Sequence, residues 1–105
     1  MPAALEHARQ SVKLDPKNAL AHYNLGQLLQ HQNLNAAALA EYRAAIALRP
    51  DWPEPHLALG QLLGDVGQLD GDIAEFREVL RLQPANPQAA QYLQMASEMK
   101  RSGGR

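Results

Sequence analysis

Cysteine is absent from the 105 residues, which excludes disulfides, thiolate metal sites and a cysteine nucleophile and leaves the redox compartment open. Neither sign of charge dominates. Ten Lys and Arg stand against eleven Asp and Glu, for a formal charge of -1, and such a chain has no long-range field with which to recruit nucleic acid or an anionic membrane. No stretch approaches the roughly 20 apolar residues of a membrane span. The opening segment, MPAALEHARQ, lacks the basic region and apolar run of a leader. The expectation is a soluble, cytoplasmic protein with neither nucleic-acid nor membrane partners. The helical pattern begins directly after Met1 and Pro2, as it does in a piece of a longer chain.

Catalytic sets are missing too. No Ser/His/Asp arrangement, glycine-rich phosphate loop or paired carboxylates stand at workable spacings, so no enzymatic activity is expected. The four histidines invite a zinc site, but zinc needs clustered ligands, such as a pair at i,i+4 with a nearby carboxylate. His22 and His56 are instead 34 positions apart, and His7 and His31 read as surface residues. Neither a metal nor a cofactor is expected.

What the sequence does contain is a period. Pro16, Pro50 and Pro84 recur every 34 residues, each preceded by Leu and one polar residue: Leu14-Asp15, Leu48-Arg49 and Leu82-Gln83. In the same register Leu25-Gly26 matches Leu59-Gly60, and Tyr42 matches Phe76. A repeat of this length marks a stacked array of small units, none of which buries its apolar face alone. Within each period two segments place apolar residues at three-and-four spacing, the pattern of a helix with one buried stripe. The predicted helices are 3–14, 19–31, 36–48, 53–64, 70–82 and 87–100. Asn18, Pro53 with Pro55, and Asn86 with Pro87 supply start signals, while Asn33 and Gly67 suit turns that need positive φ.

Glycine inside a helix costs about 1 kcal/mol relative to alanine, so Gly26 and Gly60 recurring in register call for a compensating close approach. The aromatic of the facing helix, Tyr42 or Phe76, is the expected filler. Apolar content of 46% is enough for one domain with a continuous core.

Together these residues resemble the tetratricopeptide repeat (TPR) family, whose pattern asks for Leu-Gly in the first helix and then Ala, an aromatic, Ala and Pro. Residues 19–52 match with Leu25, Gly26, Ala38, Tyr42, Ala45 and Pro50, with His22 where the family often carries Trp. Residues 53–86 match with Leu59, Gly60, Phe76 and Pro84 but place Asp72 and Val79 at positions usually small. The resemblance implies an all-α fold, a right-handed α-solenoid of about six helices in antiparallel pairs. It divides residues 1–100 of a single domain into a half-repeat at 1–18, repeats at 19–52 and 53–86, and a capping helix at 87–100. Residues 101–105, with no core-forming side chain, are expected to be disordered. At the ends, Gln94 and Ser97 present a polar face and Ala8 and Ser11 a small one, while Leu5, Val12 and Leu14 pack onto the following repeat. The expected state is a monomer, with head-to-tail self-association as the alternative.

The resemblance also implies a function: a protein-protein interaction module, an adaptor or scaffold, that holds a peptide or protein partner on the concave face lined by the first helix of each repeat. Matching positions are Leu20, Tyr23, Asn24, Gln27, Gln30 and His31 in the first repeat. The second gives Glu54, Leu57, Ala58, Gln61 and Asp65, and the last helix Gln88, Gln91, Tyr92, Met95 and Met99. Amides with aromatic and methionine side chains suit an extended or helical peptide. One family subtype grips a chaperone's C-terminal carboxylate with cations on these helices, whereas here Tyr23, Gln88 and Tyr92 occupy those places, which disfavours that ligand. Asn24 matches one rung of an asparagine ladder found in another subtype, but its equivalents are Ala58 and Tyr92. The alternatives are a self-assembling structural repeat protein, or the repeat segment of a larger enzyme that recruits its substrate.

Two residues remain. Trp52 reads as a hydrophobic staple against the next helix or as a partner anchor. Asp72 replaces the small residue expected against Gly60, and a buried unpaired carboxylate is costly. Its position in Asp70-Gly71-Asp72 suggests a helix start where amide donors and the macrodipole satisfy it, the alternative being a polar pocket open to a ligand.

Overall fold

The computed structural model describes residues 2–103. They form six α-helices and, among the described residues, no strand: α1 (Pro2–Leu14), α2 (Ala19–His31), α3 (Asn35–Leu48), α4 (Pro53–Asp65), α5 (Leu69–Leu82) and α6 (Pro87–Gly103). The architecture is all-α, with helices in antiparallel pairs, as the 34-residue period implies. Helices α1 to α5 begin and end within one residue of the predicted bounds. Among the described residues no helix is long and apolar enough to cross a membrane.

The expected start signals do their work at the first-helix positions. Asn18 Oδ1 accepts the Ala21 amide at 3.2 Å and Asn86 Oδ1 the Ala89 amide at 2.9 Å, while proline opens α4 behind an extended Trp52. Each side-chain cap satisfies a donor the helix itself cannot, worth about 1 kcal/mol. The turns into α3 and α5 are copies of one another. Asn33 (φ 61°) and Gly67 (φ 84°) stand 34 residues apart in left-handed backbone. The amide after each reaches back to the last turn of the preceding helix, Leu34 to the Leu29 carbonyl at 2.9 Å and Gln68 to that of Leu63 at 2.8 Å, closing it as a Schellman-type stop.

The helices gather into two compact units, Met1–Asp51 and Trp52–Arg105. In the first, α2 packs against both α1 and α3. Ala38, Tyr42 and Ala45 of α3 are at most 1% exposed, against Leu25 and Leu29 of α2. A Cβ at Gly26 would lie 2.7 Å from Tyr42 Cε1, closer than real atoms approach, so the tyrosine ring uses the space the missing side chain leaves. In the second unit α5 packs against both α4 and α6, and a Cβ at Gly60 would lie 2.8 Å from Phe76 Cε1. Phe76 and Val79 of α5 are buried with Leu59, Leu62 and Leu63 of α4. The compensation expected for two helix-interior glycines is thus a ring against bare backbone in both units.

Two end details depart from expectation. Leu14, assigned to pack onto the following repeat, is 83% exposed, because it is the last residue of α1 and the chain turns away after it. Helix α6 continues to Gly103, so 101–103 are helical where composition suggested disorder. Propagation needs only one further bond per residue, and Lys100 and Arg101 suit a helix C-terminus. Residues 104 and 105 of the expected tail lie outside the described residues.

Candidate functional site

The residues singled out on α2 share one side of that helix, as their three-and-four spacing requires. Leu20 is 51% exposed, Asn24, Gln27 and His31 are exposed, and Tyr23 is half-buried. Tyr23 is held from two sides: its ring lies 5.9 Å from that of Tyr42, and its hydroxyl accepts from Gln27 Nε2 at 3.1 Å. Gln30, on the flank of this face, is committed to the core by accepting the Tyr42 hydroxyl at 2.6 Å. Burial, then the neighbouring Tyr23, pushes the Tyr42 pKa up to about 12, so it remains a donor. Leu20 and Asn24 also line a cleft of about 290 Å³ between α1 and α2, shared with His7, Ala8 and Ser11.

In the second unit the chosen residues divide between two helices. Glu54 is exposed on α4, with Leu57 and Gln61 half-buried; on α6 Gln88 and Met95 are exposed and Tyr92 is half-buried. Phe76 links the two, set against Gly60 of α4 with its ring 5.4 Å from that of Tyr92. Each tyrosine proposed as a contact residue therefore also covers a buried aromatic. Met95 and Met99 are 50% and 55% exposed.

A family model for the tetratricopeptide repeat matches residues 2–53. The chain belongs to the tetratricopeptide repeat family. Solved structures agree: a crystal structure of MamA superposes with a TM-score of 0.89 at 27% identity over 91% of this chain, and the first TPR of Spaghetti (RPAP3) bound to HSP90 peptide SRMEEVD with 0.86 at 20% over 90%. A Thermobaculum terrenum O-GlcNAc transferase mutant matches with 0.81 at 28% over 90%. The chain spans 56% of the MamA chain, 75% of the Spaghetti chain and 18% of the transferase chain. No curated protein gives a significant match.

The TPR register explains features that the sequence left ambiguous. At the position where the family often carries Trp, His22 Nδ1 lies 2.7 Å from Glu41 Oε1, and His56 Nδ1 lies 2.7 Å from Glu75 Oε1. The pairs are one period apart, so Glu41 and Glu75 are a missed second half of the histidine signal; their own 34-residue spacing was visible. His22 Nε2 also lies 2.8 Å from the Pro16 carbonyl. Two acceptors face one ring, and only the imidazolium donates to both. Burial works against that charge, but the Glu41 hydrogen bond, the Pro16 carbonyl and the Glu41 charge together outweigh it, and the His22 pKa is raised.

Asp72 stands at the helix start as expected, but without the amide donor expected there, and the polar pocket is not found. It lies in the first turn of α5, but no side chain caps that helix, and Asp72 Oδ1 is buried with no hydrogen-bond partner. The carboxylate lies against Gly64 rather than Gly60; at 5% exposure it opens no pocket. Burial, then the nearby Asp65 charge, pushes its pKa up to about 6.

Proposed function

We propose that this TPR chain is a protein-binding module, an adaptor or scaffold that acts by holding a segment of another polypeptide and catalyses no reaction itself. The observation that carries the reading is the composition of the first-helix faces. Leu20 on α2 and Met95 on α6 are half-exposed large apolar side chains, and each shares its face with a half-buried tyrosine and exposed amides, Asn24 and Gln27 or Gln88. Apolar anchors next to side-chain donors and acceptors suit a peptide whose backbone needs hydrogen bonds while a few side chains are desolvated. The Spaghetti neighbour, bound to an HSP90 peptide, supports the framework as a peptide holder. The absence of cations at Tyr23, Gln88 and Tyr92 argues for a different ligand here.

A second reading, a repeat segment of a larger enzyme that recruits its substrate, draws on the match to 18% of the transferase chain. In both readings the chemistry of this segment is binding.

The test is a pull-down with the parent chain and with a Leu20→Glu/Met95→Glu variant. Both side chains are about half exposed, so circular dichroism should show an unchanged fold. Partners retained by the parent and lost by the variant are expected; identical partner sets would overturn the assignment of these faces.

A further inference from the structure

The second unit carries a cleft that the proposed partner faces do not use. It measures about 520 Å³ and lies between α5 and α6, lined by Asp70, Ile73, Ala74 and Arg77 of the one and Ser97, Lys100 and Arg101 of the other. On α6 its residues stand about half a helical turn from Tyr92 and Met95 at 3.6 residues per turn, so the two surfaces are on opposite sides of the helix.

The charges of α5 and α6 do not cancel here. Asp70 pairs with Lys100, Glu75 with His56 and Glu78 with Arg81. Asp72 is buried against Gly64, and Glu98 accepts from Gln94. Asp70, Glu75 and Glu78 are thereby paired and Asp72 is out of reach, while Glu98, held only by a neutral amide, keeps its charge outside the cleft lining. Arg77 and Arg101, both exposed, have no carboxylate partner among the described residues, and they line the cleft together with the apolar Ile73 and Ala74. Guanidinium groups pair with carboxylates through two parallel hydrogen bonds, which makes such a site selective for them beyond simple charge.

We propose that this cleft docks an acidic peptide segment of a partner protein, with an apolar side chain on Ile73 and Ala74 and carboxylates on Arg77 and Arg101. Asp70 is then an internal competitor, since it already holds Lys100. The site stands independently of the first-helix faces and adds a second contact on the other side of α6.

The probe is an array of octapeptides in which leucines are flanked by a graded number of glutamates, with glutamine and phosphoserine counterparts. Retention should rise with glutamate count and fall with added salt. It should drop about tenfold or more, over 1.4 kcal/mol, in Arg77→Ser/Arg101→Ser, and increase in Asp70→Asn. Arg9→Ser/Arg43→Ser makes the same change of net charge on the other unit and should leave retention unchanged. All the substituted arginines are exposed, so melting should confirm folded variants. Equal retention of glutamine peptides, equal loss in the Arg9/Arg43 control, or no loss in Arg77→Ser/Arg101→Ser would overturn the proposal. Preference for phosphoserine over glutamate would also overturn it, in favour of a phosphopeptide.

Discussion

Replacing Asp72 with alanine should stabilise the protein at neutral pH and destabilise it in acid. The carboxyl is buried, Oδ1 lacks a partner, and its pKa moves from 3.8 to about 6. That rise of roughly two units corresponds to about 3 kcal/mol favouring the neutral form in the folded state. The sign follows from proton binding. Between the two values the folded chain holds the proton more often than the unfolded chain, so stability falls as pH rises through that window and is flat above it. Asp72→Ala abolishes the dependence but leaves a small void against Gly64, at about 1 kcal/mol. The variant is therefore about 2 kcal/mol more stable at high pH, and about 1 kcal/mol less stable where the parent's carboxyl is neutral in both states. Urea unfolding by circular dichroism from about pH 3 to 8 should give two stability curves that cross. Parallel curves, or a variant weaker at every pH, would refute the reasoning.

Two further outcomes are expected. Gly26→Ala should lower the urea midpoint, because a Cβ would meet Tyr42 Cε1 at 2.7 Å; overpacking of about 1–3 kcal/mol outweighs the roughly 1 kcal/mol gained in helix propensity. An increased midpoint would contradict the close approach. By NMR, His22 should titrate above 6.5, and Glu41→Gln should bring it down; because the folded pKa is raised, the pair's contribution is complete below 6.5 and lost as pH climbs through the raised value. A titration that ignores position 41 would refute the bond.

The fold was legible because its signals are local and repeated. Proline, Asn18, Asn86, Asn33 and Gly67 each set backbone geometry within a few residues, and the 34-residue period repeats much of the message. The candidate faces were legible as helical stripes but not as exposures: spacing places Tyr23 and Tyr92 on those faces, yet it does not say that each also packs on a buried ring. The least legible features join side chains of different helices. His22 and Glu41 are 19 residues apart, and the contact of Asp72 with Gly64 depends on side-chain reach rather than repeat register. The unpaired state of Arg77 and Arg101 emerges only after the other charges have found partners.

Comparison of equivalent positions in the two units gives Asp72 a wider meaning. Positions 30, 38 and 42 hold Gln, Ala and Tyr; positions 64, 72 and 76 hold Gly, Asp and Phe. In the first unit a long amide on the leading helix meets a phenol, and the alanine on the facing helix is buried. In the second, the leading helix gives up its side chain and the carboxyl comes from the opposite helix. These are two solutions to one packing problem, and one exchange is conditional: a glutamine at 64 would meet the Asp72 carboxylate, which would first have to move. The dependence runs one way: a side chain at 64 calls for a change at 72, whereas Asp72→Ala, which makes 72 like 38, needs none at 64.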